Sequence, residues 1–137
     1  MGNYYRSRLA EELAMYYAEQ YGLEIDVDSG GLSDVAHSLN PGPIAKATLR
    51  YLEEKQIRPR RAHRFPKRID LEGIFTADLV VFTDEDEQKH LFKQEFPTFT
   101  GTIVGWRARD NYDDPLLQTP NLIDKHVHEL IKKLLQE

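Results

Sequence analysis

Leu79-Val80-Val81-Phe82 is an unbroken apolar run with no polar alternation. A strand of that composition fits a sheet covered on both faces, which is the habit of parallel sheets. Parallel neighbours need crossover connections, and helical patterns lie on either side of the run. Upstream, Leu9, Leu13, Tyr16 and Tyr17 recur at helical spacing with Glu11, Glu12 and Glu19 between them. Ser7 is placed to cap this helix and Gly22 to end it. Leu23 to Val27 alternates apolar and acidic, which predicts a short strand with Ser29-Gly30-Gly31 as its exit turn. Asn40-Pro41-Gly42-Pro43 punctuates before a second helix, about Ile44 to Glu54, with Ile44, Ala47, Tyr51 and Leu52 on one face.

Asp70 to Phe75 predicts a short helical segment ahead of the apolar run, and Thr83-Asp84-Glu85 opens a longer helix after it. That helix turns Leu91 and Phe92 inward and ends at Phe96-Pro97. Thr102-Ile103-Val104 reads as a third strand, Arg107 to Pro120 as a long loop, and Leu122 to Leu135 as a last helix. Ile123, Val127, Leu130, Ile131 and Leu134 share one side of it. Strands alternating with helices imply an α/β fold, a three-layer sandwich with an open parallel sheet. Nothing divides residues 1–137, so they read as one domain.

Composition narrows the chemistry. The 137 residues hold no cysteine, which removes disulfides, thiolate-bound zinc, iron–sulfur clusters and a cysteine nucleophile. A chain this long buries enough surface to fold without staples. With 40% hydrophobic and 30% charged residues and a net charge of -5, it is globular in type. No apolar run reaches the roughly 20 residues of a membrane span, and the start MGNYYRSRLAEE lacks a secretory pattern. The expected location is cytoplasmic, with no membrane partner.

Arg58, Arg60, Arg61, Arg64, Lys67 and Arg68 form a basic stretch around His63. Such a patch suits a nucleic-acid backbone or an acidic tail, but the net charge and the lack of a stacking aromatic pair argue against nucleic acid. A partly paired surface is the expectation. Asp84, Glu85, Asp86 and Glu87 open a helix, where carboxylates favour the positive dipole end without any metal. His126 and His128, two apart on a helix, point away from each other and make poor joint ligands. His37 and His90 have no partner in sequence. No cofactor is implied.

Gly2-Asn3-Tyr4-Tyr5-Arg6-Ser7 leads directly into the first helix. A glycine-containing turn presenting its amides at a helix N-terminus makes an anion cradle, and an arginine there adds a guanidinium suited to phosphate. The alternative is a solvated Arg6 and a Ser7 that merely caps. The chain here resembles the low-molecular-weight protein tyrosine phosphatase family and its arsenate-reductase relatives, whose phosphate loop reads Cys-x-Gly-Asn-x-x-Arg-Ser. Gly2, Asn3, Arg6 and Ser7 match, and Ala10-Glu11 follows in register. Further matches are Val27-Asp28-Ser29-Gly30-Gly31, Asn40-Pro41-Gly42-Pro43 with Ala45 and Leu49, His63-Arg64, and Ala77-Asp78-Leu79-Val80-Val81. Together they span nearly the whole chain.

In that family a cysteine thiolate attacks the phosphorus of an aryl phosphate such as phosphotyrosine, an aspartic acid protonates the leaving phenolate, and water resolves the cysteinyl-phosphate. The resemblance implies that Gly2, Asn3, Tyr4, Tyr5 and Arg6 bind phosphate and that Asn3 and Ser7 orient the loop. It implies Asp114, beside Pro115, as the general acid, with Asp110 as runner-up and Asp113 a third candidate. Trp106 and Tyr112 are candidates for lining the pocket, or for packing alone.

The family's cysteine lies six positions before its arginine, which puts it one position ahead of Met1. Either the start is placed too late, or this is a relative that has lost the chemistry. The chain as given is expected to be inactive. A form carrying the first strand and cysteine would hydrolyse aryl phosphates. Two alternatives stand beside this: a non-enzymatic oxyanion-binding or protein-interaction module, and an arsenate-reductase-like relative. Partners implied are phosphate or a phosphorylated protein or small molecule. In the family's strand order the first strand is central, so Glu24–Asp28 and Asp78–Thr83 are expected to border a gap, with homo-oligomers forming through the unpaired edges.

Overall fold

The computed structural model of the chain describes residues 5–32, 42–108 and 119–137. Helix α1 spans Arg6–Gln20, and its Leu9 and Leu13, one turn apart, are fully buried. Gly22 ends it as expected. At a φ of 68°, Gly22 lets its own N–H reach Glu19 O at 3.2 Å while Leu23 N–H reaches Ala18 O at 2.8 Å. Ser7 is not the cap. The N-cap position is Tyr5, which makes no side-chain cap bond, and Ser7 lies inside the first turn. The chain enters the helix earlier than the capping preference suggests because Tyr5 O already accepts from Leu9 N–H at 2.9 Å.

Helix α2 covers Lys46–Glu54, with Thr48, Tyr51 and Leu52 buried; Thr48, rather than Ala47, is the fully covered residue of its first turn. Helix α3, Leu71–Thr76, starts where Asp70 Oδ1 accepts from Gly73 N–H at 2.6 Å. Strand β1 is Val80–Phe82, helix α4 is Glu85–Glu95, strand β2 is Ile103–Gly105, and helix α5 is Thr119–Leu135. The expected loop to Pro120 therefore ends sooner, since Thr119 and Pro120 are already helical. Proline is tolerated in a first turn because its missing N–H has no helical partner there.

The two strands pair in parallel, Val80 with Ile103, Val81 with Val104 and Phe82 with Gly105. Side chains alternate across β1 as the pleat requires. Val81 packs against a cluster built by α1, α2 and α5, including Leu9, Leu13, Leu52, Ile123, Val127 and Ile131. Val80 and Phe82 join the opposite cluster with Ile74 of α3 and Phe92 of α4. The apolar run is thus covered on both faces, and the layers are helix, sheet, helix. This is the α/β architecture with a small open parallel sheet that the sequence implies.

Leu23 to Val27 is not a strand. Among the described residues the sheet holds two strands only, and β1 pairs along one edge. Alternation makes the segment extended, but a strand needs a ladder partner, and Val27 O instead accepts from Arg61 Nη1 at 2.8 Å. The chain rejoins regular pairing at an isolated bridge, Gly31 with Arg68. Just before it, a Cβ on Gly30 would stand 2.8 Å from Ile69 Cα, so glycine is needed for the close approach. No helix among the described residues is long and apolar enough to cross a membrane.

Candidate functional site

Arg6 opens α1 and is only 4% exposed. Its Nη1 donates to Ala108 O at 3.1 Å and to Asp84 Oδ2 at 3.4 Å, partners 102 and 78 residues away. Its Nη2 faces the Glu87 carboxylate, at 3.4 Å from Oε1 and 3.5 Å from Oε2. Asp84 follows the carboxyl end of β1, and Ala108 lies just beyond that of β2. Open parallel sheets place ligands in the crevice outside those strand ends, where loops from neighbouring strands converge.

The backbone holds these turns together. Trp106 N–H donates to Phe82 O at 2.8 Å, Glu85 N–H to Trp106 O at 2.8 Å and Ala108 N–H to Thr83 O at 2.9 Å. Gln88 reaches back along α4, accepting from Asp84 N–H at 3.2 Å and donating to Thr83 Oγ1 at 3.0 Å. Asp84 is therefore fixed from both sides, yet its Oδ1 is buried with no hydrogen-bond partner among the described residues. A buried carboxylate with one oxygen unsatisfied is costly.

A second charged cluster lies further along α1, where Arg8, Glu11 and Glu12 share a face. Glu11 Oε1 accepts from Ser29 Oγ at 2.6 Å and Arg64 Nη2 at 2.7 Å, and Oε2 accepts from Arg61 Nη1 at 2.6 Å. Glu12 accepts from the N–H groups of Arg60 and Arg61 at 2.7 and 2.8 Å. Arg8 donates to the carbonyls of Pro43, Arg61 and Arg64. Burial, with Arg64 beside it, pulls the Arg8 guanidinium below its usual pKa. Arg61 and Arg64 of the basic stretch thus pair with Glu11, a buried carboxylate that periodicity assigns only to the polar side of α1.

Tyr5, Arg6, Ser7 and Trp106 are the predicted site residues whose structure is described. Gly2, Asn3, Tyr4, Asp110, Tyr112, Asp113 and Asp114 lie outside the described residues, as does His37. Trp106 is buried and stacks on His126, with ring centres 5.2 Å apart. His128 instead stacks on Tyr17, so the two histidines diverge as their spacing requires. Sequence pattern alone assigns Asp84 and Glu87 only to the opening of a helix. The usable signal was their position directly after an apolar strand, on the crevice side of a parallel sheet. A cavity of about 490 Å³ between Met15, Ala18, Leu23, Ile25 and Arg60 lies towards the other end of α1.

The sequence profile for low molecular weight phosphotyrosine protein phosphatases matches residues 1–137. The chain belongs to that family. Similar solved structures include a YwlE mutant from Bacillus subtilis, 23% identical at a TM-score of 0.79, with 98% of this chain and 93% of that one covered. The low molecular weight protein tyrosine phosphatase of Streptococcus pyogenes is 23% identical at a TM-score of 0.78, covering 98% and 88%. A Drosophila arginine phosphatase is 20% identical at 0.72, covering 99% and 92%. At these identities the likeness is one of fold. A comparison with curated proteins finds no match. The chain carries no cysteine.

Proposed function

We propose that this chain is a phosphatase-family protein that recognises a phosphate oxyanion without hydrolysing its ester. The observation that carries the reading is Arg6, buried at the first residue of α1 and oriented by Asp84 and Ala108 at the crevice end of the sheet. A guanidinium and helix N-terminal amides favour a phosphoryl group through charge-assisted hydrogen bonds. Turnover needs a nucleophile as well. No residue of the chain supplies a thiolate.

Asp114, with Asp110 as the alternative, is the proposed proton donor in a form of the protein that also carries the family's cysteine. Partners in this reading are phosphate or a phosphorylated protein or small molecule, in the cytoplasm, and a second copy of the chain through the edge of β1 that no strand among the described residues pairs. The test is incubation of purified protein with para-nitrophenyl phosphate. No protein-dependent phenolate release is expected, and vanadate-sensitive turnover overturns the proposal. Phosphate titration of the parent against Arg6→Ala tests recognition separately: binding is expected to weaken in the variant.

A further inference from the structure

Arg6 reaches the carboxylates of Asp84 and Glu87 differently. Asp84 is inside the protein, its side chain 6% exposed, whereas the Glu87 side chain is 39% exposed on the first turn of α4. Glu87 spans Nη2 with both oxygens, at distances longer than the roughly 2.7–2.9 Å of a strong charge-assisted bond. A contact that long, between a buried donor and a half-exposed acceptor, is easily exchanged. It also stands where a phosphate oxygen approaching the guanidinium from solvent would form its own bond.

We infer that Glu87 is an internal competitor for the oxyanion site, a carboxylate that phosphate must displace from Arg6 before binding. The inference rests on the proposed oxyanion role of Arg6. It assigns Asp84 and Glu87 opposite duties: Asp84 holds the guanidinium in place, while Glu87 occupies its outward edge and lowers affinity for anions. Glu85 and Asp86, beside it, face Arg107 instead, at 3.6 and 3.8 Å, and are not competitors.

Inorganic phosphate, titrated into the isotope-labelled chain and followed by NMR, tests this with five variants. Glu87→Gln removes the charge and weakens the acceptor. Glu87→Asp keeps the charge but draws the carboxylate back by one methylene, out of reach of Nη2. Asp86→Asn removes a neighbouring charge that faces Arg107. Both Glu87 variants are expected to bind phosphate about three- to fivefold more tightly, the scale of a partly exposed ion pair. Asp86→Asn should change affinity less than about twofold, and adding Arg6→Ala to Glu87→Gln should abolish the gain. If Glu87→Asp behaves like the parent, or Glu87→Gln no differently from Asp86→Asn, the effect is general electrostatics and the competitor role is wrong. Arg6 then stays the binding residue so long as Arg6→Ala still weakens the parent. If neither the parent nor Glu87→Gln binds phosphate, or Arg6→Ala binds as the parent does, the oxyanion reading fails and takes this inference with it.

Discussion

Replacing Glu11 with alanine removes one carboxylate from four neighbours at once. Ser29 Oγ, Arg61 Nη1 and Arg64 Nη2 lose hydrogen bonds of 2.6, 2.6 and 2.7 Å. Arg8 Nε loses an ion pair at 3.5 Å in which neither side chain is exposed. Breaking a buried pair from one side leaves the other charge uncompensated and costs about 3–5 kcal/mol. Domains have a total stability of about 5–15 kcal/mol, so the variant should be close to unfolding under mild conditions. For a chain of this length the midpoint of thermal unfolding should fall by roughly 10–15 °C. Glu11→Gln keeps the side-chain length and one acceptor, and should lose about half as much. Glu19→Ala breaks an ion pair with Arg60 between groups 64% and 47% exposed, and should cost under about 0.5 kcal/mol. Urea unfolding of all three against the parent, with a shared slope, reads these differences directly. A Glu11→Ala loss below about 1 kcal/mol, or one no larger than that of Glu19→Ala, would mean that the backbone carbonyls around Arg8 suffice to hold it.

Tyr17 and Tyr51 both donate to Asp124, each at 2.5 Å, and burial followed by that hydrogen bond raises both phenols above their usual pKa. A raised folded pKa means the contribution is complete below the unfolded value, about 10, and is lost as pH rises beyond it. Two of the seven tyrosines should therefore ionise only as the chain unfolds, in an alkaline absorbance titration run beside circular dichroism; simultaneous ionisation of all of them in a folded chain refutes this. Burial alone would raise the Asp28 carboxyl, but the hydrogen bonds from Lys67 Nζ and Ser29 N–H outweigh it and hold it low. With a depressed folded pKa, its contribution is present above the unfolded value, about 3.9, and is lost as pH falls through the folded one. Asp28→Asn should flatten the acid side of the stability curve, and melting curves that run parallel to the parent's from about pH 5 to 2 would show that the pairing does not matter.

Local chemistry was readable from the sequence wherever one element satisfies itself. The periodicities of α1, α4 and α5 follow from hydrogen bonds between residues four apart, and Gly22 and Asp70 act within one turn of their own positions. The unbroken run at Val80–Phe82 carried its double burial in its composition. The motif around Arg6 likewise pointed to the start of α1, where the oxyanion site is proposed. These signals depend on neighbours in sequence, so no knowledge of distant segments was needed.

Tertiary structure decided what has to be shared between distant segments. The alternation of Leu23 to Val27 made the chain extended, but whether it became a strand depended on a ladder partner, and Arg61 took Val27 O instead. Sequence put Arg6 at a helix start; the fold brought Asp84, Glu87 and Ala108 to it. Glu11 looked like a solvated helix residue until the 58–68 segment folded over it and turned its charge into a buried junction. A side chain's charge is local information, whereas its desolvation and its partners are set by the path of the whole chain. The same arginine is a solvated cation on an isolated helix and an oriented guanidinium here.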